Sequence, residues 1–279
     1  MNLKKKIAIQ GIRGSFHHQV ANQYFGEAIE LKECLSFVEI PELINNNNVD
    51  GAVMAIENSL AGSILPNYAL IDEFNLKIQG EVHLPIHHHL MSLDGQSLSD
   101  IKEVWSHPMA LLQCRKFFRK YPQIKLVEES DTAEVAQRIQ KQKLKGIAAI
   151  ASKRAADIYK LNIIENEIQT RKQNLTRFFI LKKKNGKQET VNKASLKFIT
   201  KHQTGNLTDV LNVFAGLGMN LSKIQSLPII DKPWNYAFFA DVIFEDYQLF
   251  QKAISIVKDK TSSLKILGEY HQSKRKYDI

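Results

Sequence analysis

Apolar and polar positions alternate in short blocks along the first 180 residues, each strand-like run giving way to a helix-spaced one. Strand-like runs fall at 7–10, 52–56, 103–105, 126–129 and 147–151. Each ends in small polar or hydroxyl residues: Gly11-Ile12-Arg13-Gly14-Ser15, Glu57-Asn58-Ser59-Leu60-Ala61-Gly62, Ser106-His107-Pro108, Ser130-Asp131-Thr132, and Ser152. Such residues cap helices, and the spacing predicts helices over 16–25, 64–74, 109–121, 133–143 and 153–160. Strands alternating with helices predict an α/β fold with a largely parallel sheet. In such sheets ligands bind beyond the carboxyl ends of the strands, where helix N-termini present free N–H groups to anions. The repeated junction therefore predicts a site for a small anionic metabolite.

The segment 80–91 reads as a strand leaving one lobe for another, and 176–181 as the strand that returns. Two crossings imply two lobes with a cleft between them: lobe one at about 1–79 and 174–184, lobe two at about 80–173. A polar linker follows at Lys182-Lys183-Lys184-Asn185-Gly186-Lys187-Gln188-Glu189. Beyond it the pattern changes to strand 194–200, helix 206–217, strands 220–228 and 234–244, helix 247–258 and strand 263–269. That order, βαββαβ, is the ferredoxin-like unit, with Asp231-Lys232-Pro233 as its hairpin turn.

Composition adds exclusions. The 279 residues are 44% hydrophobic and 24% charged, as in ordinary globular proteins. No apolar run reaches the length of a membrane-spanning helix. The stretch after Lys4-Lys5-Lys6 turns polar too soon for a signal peptide, so the cytoplasm is the expected location. Cys34 and Cys114 have no metal or redox spacing and read as buried thiols. Three glycosylation sequons, at Asn174, Asn206 and Asn220, mean nothing without secretion. The net charge of +9 comes from dispersed lysines, apart from Lys182-Lys183-Lys184 and the tail Lys274-Arg275-Lys276, and no basic stripe is interleaved with aromatics. That favours anionic ligands over nucleic acid. His87-His88-His89 puts two imidazoles on one face of an expected strand, and His17-His18 opens a helix. No second cluster completes a tetrahedral metal site, so packing and hydrogen bonding are their expected roles.

Asn174-Leu175-Thr176-Arg177-Phe178-Phe179 resembles the Thr-Arg-Phe motif of prephenate dehydratases. The loop Gly11-Ile12-Arg13-Gly14-Ser15-Phe16 is similar to that family's first glycine loop, and Glu57-Asn58-Ser59-Leu60-Ala61-Gly62 to its Glu-Asn-Ser/Thr loop. Ser106-His107-Pro108-Met109-Ala110-Leu111-Leu112-Gln113-Cys114 resembles its Ser-His-Pro stretch, with Met109 where Gln is usual. The βαββαβ tail resembles the family's ACT regulatory domain. No chorismate mutase helices precede these motifs here, so the resemblance is to the monofunctional type. It implies a two-lobed, periplasmic-binding-protein-like catalytic domain over 1–184 and an ACT domain over 193–279.

The resemblance also implies a reaction, prephenate to phenylpyruvate, carbon dioxide and water, with no cofactor and no metal. The substrate is a dianion whose ring hydroxyl must leave with a proton while the ring carboxylate departs and the ring aromatises. A tight cation on that carboxylate would stabilise the ground state more than the transition state, and neutral Ser, Thr, Asn and Gln donors avoid this. By resemblance Thr176 is the proton donor to the leaving hydroxyl, and a threonine in that role needs a hydrogen-bond partner or a concerted process, since its hydroxyl is a poor acid. Asn58, Ser106 and Gln113 position the substrate. Ser15, Phe16, Glu57, Ser59, Gly62, Thr132 and Arg177 complete the binding set. Strand alternation turns Arg177 away from Thr176, which also suits a structural ion pair. Ser106 equally suits an N-cap, and Glu57 equally suits orienting Asn58.

ACT domains of this family bind phenylalanine between subunits, at segments reading Gly-Ala-Leu and Glu-Ser-Arg-Pro. Here the matching segments are Gly205-Asn206-Leu207 and Gln225-Ser226-Leu227-Pro228, which lack the acid and the arginine. The resemblance implies an L-phenylalanine effector and a homodimer or homotetramer formed through these domains, with no nucleic acid or membrane partner. Two alternatives stand beside this reading: arogenate dehydratase, and a non-catalytic two-lobed amino-acid or carboxylate sensor. Thr176 separates the sensor, because a pure binder needs no proton donor there.

Overall fold

The computed structural model describes residues 4–184, 190–201, 203–229 and 232–273. Residues 185–189 of the expected linker, Asp231 of the expected turn and the basic tail at 274–276 lie outside the described residues. The chain divides into two compact units, one of Met1–Ser63 with His83–Phe178, the other of Ile64–Val82 with Phe179–Ile279.

The chain begins with β1 (Lys5–Gln10), α1 (Phe16–Phe25), β2 (Ile29–Cys34), α2 (Glu39–Asn45), β3 (Gly51–Asn58), the two-residue β4 (Gly62–Ser63), α3 (Leu65–Glu73) and β5 (Lys77–Pro85). Then come β6 (His89–Ser92), β7 (Glu103–Ser106), α4 (Pro108–Phe118), β8 (Lys125–Glu128), α5 (Thr132–Gln142), β9 (Ile147–Ala151), α6 (Lys153–Tyr159), β10 (Asn162–Glu165) and β11 (Leu175–Lys182). One sheet has the order β2-β1-β3-β11-β5, with β1 parallel to both its neighbours. A second has the order β10-β6-β9-β7-β8, in which β7, β8 and β9 run parallel, β6 pairs antiparallel with β9, and β10 pairs antiparallel with β6. Central strands such as β3 are buried along almost their whole length, as parallel strands covered on both faces must be. Both thiols are buried and free. Burial pushes Cys34 up to about 11 and Cys114 up to about 12.

Three expectations need correction. The strand expected over 80–91 is two strands, broken at 86–88. Pro85 ends β5, the Ile86 N–H donates to Asn174 O, and the His88 N–H donates to Gln169 Oε1. The second polar junction opens a hairpin, with Glu57 opposite Ser63 and Asn58 opposite Gly62, before α3 begins. The third opens a helix, but its N-cap is His107, whose Nδ1 accepts the Met109 N–H, and not Ser106. Strand β2 and helix α2 had no counterpart in the pattern. β2 is a largely exposed edge strand rich in charge, and α2 has seven residues with Pro41 in its first turn.

The second unit contains β12 (Lys193–Thr200), α7 (Asn206–Gly216), β13 (Asn220–Ile229), β14 (Lys232–Ile243), α8 (Tyr247–Lys260) and β15 (Thr261–Tyr270). The observed order is βαββαβ, and the antiparallel sheet runs β13-β14-β12-β15. Alternation sorts the side chains of β12. Ala194, Leu196 and Phe198 join Val210, Phe214, Phe250 and Val257 in the core beneath α7 and α8. Lys193, Ser195 and Lys197 face the opposite way. There Lys193 Nζ reaches both oxygens of Glu81 on β5 at 3.0 Å, with both side chains at most 1% exposed. Lys197 and Lys265 both pair with Asp72 of α3, and the Tyr68 ring packs 5.3 Å from Phe239. β15 passes so close to β5 that a Cβ on Gly268 would lie 2.1 Å from Ile78 O, so only glycine fits.

In the first unit His17 packs against Phe178 and Phe37, ring centroids 5.0 and 5.5 Å away, and its Nε2 accepts the Ala55 N–H at 3.3 Å. Burial pushes its pKa down to about 3.

Two stability outcomes follow from these contacts. Lys193→Met removes the cation from a buried carboxylate, so urea denaturation is expected to show a loss of about 3–5 kcal/mol, and adding Glu81→Leu is expected to restore much of it. A single-variant loss below about 1 kcal/mol would contradict the buried pair. His17 is neutral when folded but takes a proton near pH 6.5 when unfolded. Its contribution is complete above pH 6.5 and is lost as pH falls toward 3, at up to about 1.4 kcal/mol per pH unit. Urea midpoints between pH 7 and 4 are expected to fall more steeply for the wild type than for His17→Leu, and parallel curves would contradict this.

Candidate active site

The hairpin after β3 fixes one side chain without ambiguity. Asn58 Oδ1 accepts the backbone N–H groups of Leu60 and Ala61, each at 3.0 Å. The amide nitrogen is therefore turned the other way, where it donates to Asn174 Oδ1 at 2.7 Å and Thr176 Oγ1 at 2.9 Å. Asn174 and Thr176 are two residues apart at the start of β11, so they share a face. Asn174 Nδ2 donates to Gln113 Oε1 at 2.8 Å, and His88 Nε2 lies 2.9 Å from the same oxygen. Gln113 comes from α4, which has Pro108 at its first position, where no N–H is needed. Asn174 and His88 are 0% and 4% exposed and Thr176 is 8% exposed, so the network is shielded from competing water. Burial pushes the His88 pKa down to about 4 against the raising effect of its bond to Gln113, and every group in the chain is neutral near pH 7.

Hydrogen bonds thus join Asn58, Gln113 and Thr176 through Asn174, while the Ser106 hydroxyl donates elsewhere. Ser106 closes β7 with its side chain fully buried, and its Oγ donates to Ile150 O of β9 at 2.7 Å. Ser59 ties the hairpin to β11: its N–H donates to Leu175 O, and its Oγ accepts the Leu175 N–H. Arg177, 5% exposed, pairs with Glu57 at 4.0 Å on the side away from Thr176. Ser15 is the N-cap of α1, and Phe16 meets the His88 ring edge-on at 5.7 Å. Gly62 is exposed in the hairpin, and Thr132 is the first residue of α5, half-buried behind its N-cap Asp131.

β3, β11 and α4 supply this network, and further contacts tie the first glycine loop to α6. Ser152 Oγ donates to Gly14 O and Tyr159 OH donates to Arg13 O, each at 2.6 Å. Gly14 has φ +91°, and a Cβ there would press 3.0 Å from Ala155 Cα, so glycine lets the loop reach α6. Asp131 accepts the Ala133 and Glu134 N–H groups, while burial raises its pKa above the ordinary carboxylate range.

Sequence reasoning passed over two members of the network. Asn174 stood in a sequon and at the head of the Thr-Arg-Phe stretch but was given no role, although its two-residue offset from Thr176 was the available signal. His88 stood in a histidine run expected to pack and hydrogen-bond, with no partner named; its hydrogen bond to Gln113 distinguishes it. Among the described residues no group of three His, Cys, Asp or Glu side chains is placed to hold a metal. No described helix is long and apolar enough to cross a membrane.

A cavity of about 420 Å³ opens in the second unit, lined by residues that include Thr200, Lys201, Thr204, Gly205, Leu207 and Tyr236. Asn206 starts α7, and its Nδ2 donates to Lys201 O beside this cavity. Gln225, Ser226 and Leu227 lie on β13 and are not among its lining residues.

Comparison with known proteins gives the family. The family model described as prephenate dehydratase matches residues 7–186. The bifunctional chorismate mutase/prephenate dehydratase of Aquifex aeolicus is 34% identical over 269 residues, covering 96% of this chain and 74% of that protein. Among solved structures, prephenate dehydratase from Staphylococcus aureus superimposes with a TM-score of 0.83 at 24% identity, over 95% of this chain and 100% of that one, which shows a common fold. A structure titled as GqqA, a novel type of quorum quenching acylase, superimposes with a TM-score of 0.87 at 26% identity, over 96% and 98%. With its family model spanning most of the two-lobed region and a relative aligned along nearly its whole length, this chain belongs to the prephenate dehydratase family.

Proposed function

We propose that the chain catalyses the decarboxylative dehydration of prephenate to phenylpyruvate in the making of phenylalanine, with Thr176 as the proton donor. The observation that carries this reading is the hydrogen bond from Asn58 Nδ2 to Thr176 Oγ1 at 2.9 Å. It occupies a lone pair on the hydroxyl and leaves the hydroxyl's own proton for the substrate. As the ring C–O bond breaks, its electron pair goes to the departing oxygen, which takes that proton and leaves as water. The ring carboxylate leaves as carbon dioxide, and the electron pair of its C–C bond completes the aromatic ring. The Asn58 N–H steadies the Thr176 oxygen while it is short of a proton, and solvent later restores the proton. A donor amide against the oxygen disfavours nucleophilic attack by Thr176, which needs a base at that position, so dehydration is favoured over acyl transfer. Gln113 contributes a neutral NH2 to substrate positioning, and Arg177 is held against Glu57, away from the departing carboxylate.

A positioned acid contributes roughly 10²–10⁴ in rate, about 3–5 kcal/mol. With prephenate at neutral pH, phenylpyruvate absorbance is expected to rise with the wild type, and Thr176→Ala is expected to lose two decades or more of kcat. Equal rates would reduce Thr176 to a structural residue. Turnover of arogenate in the same assay, with none of prephenate, would transfer the reading to the amino analogue.

The regulatory part of the proposal covers 193–279 as an ACT domain, beside a catalytic domain over 1–184. Support comes from the βαββαβ order and from a cavity that includes Gly205 and Leu207. We assign L-phenylalanine to that cavity, assembly as a homodimer or homotetramer to these domains, and the cytoplasm as the site of action. Gln225 and Leu227 stand where an acid and an arginine are usual, so binding rests on the cavity itself. Saturating phenylalanine is expected to raise the melting temperature by a few degrees and to lower dehydratase activity, and Leu207→Asp is expected to abolish both effects. Wild-type protein that responds in neither measurement would remove this effector.

A further inference from the structure

Gln113 matters to the proposed reaction only if its amide faces the substrate with a known end, and a glutamine amide on a helix can flip. Two donors converge on Gln113 Oε1: Asn174 Nδ2 at 2.8 Å and His88 Nε2 at 2.9 Å. The direction of this chain is dictated from its far end. The Leu60 and Ala61 N–H groups take Asn58 Oδ1, so Asn58 presents nitrogen to Asn174 Oδ1. Asn174 must then present nitrogen to Gln113, Gln113 must present oxygen, and His88 must carry its proton on Nε2.

We propose that His88 is a positioning residue: its Nε2–H, together with the Asn174 amide, locks Gln113 with its NH2 turned outward to the substrate. Flipping Gln113 would set N–H against N–H at two contacts at once, so the lock works by repulsion as well as attraction. The opposite imidazole tautomer fails on two counts. It would turn a nitrogen lone pair toward the Gln113 oxygen, and it would leave a buried N–H at Nδ1, an atom with no hydrogen-bond partner among the described residues. The edge-on ring of Phe16 at 5.7 Å and the His88 backbone N–H bond to Gln169 hold the imidazole in this pose. The inference rests on the dehydratase reading for its kinetic consequence and on hydrogen-bond geometry alone for its tautomer.

The test compares wild type, His88→Gln and His88→Leu, reading kcat and KM with prephenate and the 15N spectrum of the imidazoles. A glutamine at 88 keeps an N–H near the Nε2 position; leucine does not. His88→Leu is expected to lower kcat/KM at least tenfold, the loss of roughly one well-placed hydrogen bond, with His88→Gln within about threefold of wild type. The wild-type resonances missing from His88→Gln are expected to report a neutral ring protonated at Nε2 at pH 7. Wild-type rates in His88→Leu, a His88→Gln variant as impaired as His88→Leu, or a ring protonated at Nδ1 would each overturn the proposal. If His88→Leu does not fold, the glutamine variant and the tautomer still decide. Absence of prephenate turnover by wild type would overturn the functional reading instead, and the tautomer measurement would still judge the lock.

Discussion

Asn58 Oδ1 is held by two backbone N–H groups, and the hydrogen-bond chain through Asn174, Gln113 and His88 takes its direction from that one anchored atom. Side-chain amides are symmetric in shape but opposite in hydrogen-bonding character at their two ends. A network made only of Asn and Gln would have two equally good arrangements with all donors and acceptors exchanged. Pinning Asn58 to the hairpin backbone removes one of them. The consequence passes through Asn174 and Gln113 to His88 on one branch and directly to Thr176 on the other. In the proposed reaction the hairpin of β3 and β4 thus takes part in the chemistry, and the bonds between Ser59 and Leu175 keep it in register with β11.

Neutrality is the second constraint. Prephenate carries two carboxylates, and one must leave as a neutral gas. A cation fixed on that group would resist the departure, while oriented amide and hydroxyl dipoles in a shielded site stabilise developing charge without holding the reactant back. The histidine in the network stays uncharged because burial pushes its pKa to about 4, and the nearby arginine faces a glutamate on the opposite side of its strand. In the second unit the opposite choice is made: a lysine and a glutamate are fully buried together, joining β5 to the βαββαβ sheet.

Much of this architecture could be read from residue pattern. Strand-to-helix alternation gave the α/β class, α1 is observed over Phe16–Phe25 as expected, and the change of rhythm beyond residue 190 gave the βαββαβ order. Where pattern failed, a local feature had outweighed it. The hydroxyl of Ser106 donates to Ile150 O, which no motif spacing reports, and His107 takes the cap instead. Strand β2 was hidden because an exposed edge strand carries charge in place of apolar alternation. Asn174 and His88 were missed because each acts through a tertiary hydrogen bond, and sequence displays only residues, not the direction of their amides.

The central claim is that Asn58 serves the chemistry through the oxygen of Thr176. A double-mutant cycle on prephenate turnover addresses it directly, with Asn58→Ala, Thr176→Ala and the two combined. If the account holds, each single change removes most of the rate and the pair is no slower than the worse single variant. Losses that multiply in the double variant would mean that the two residues act separately, and the account would be wrong.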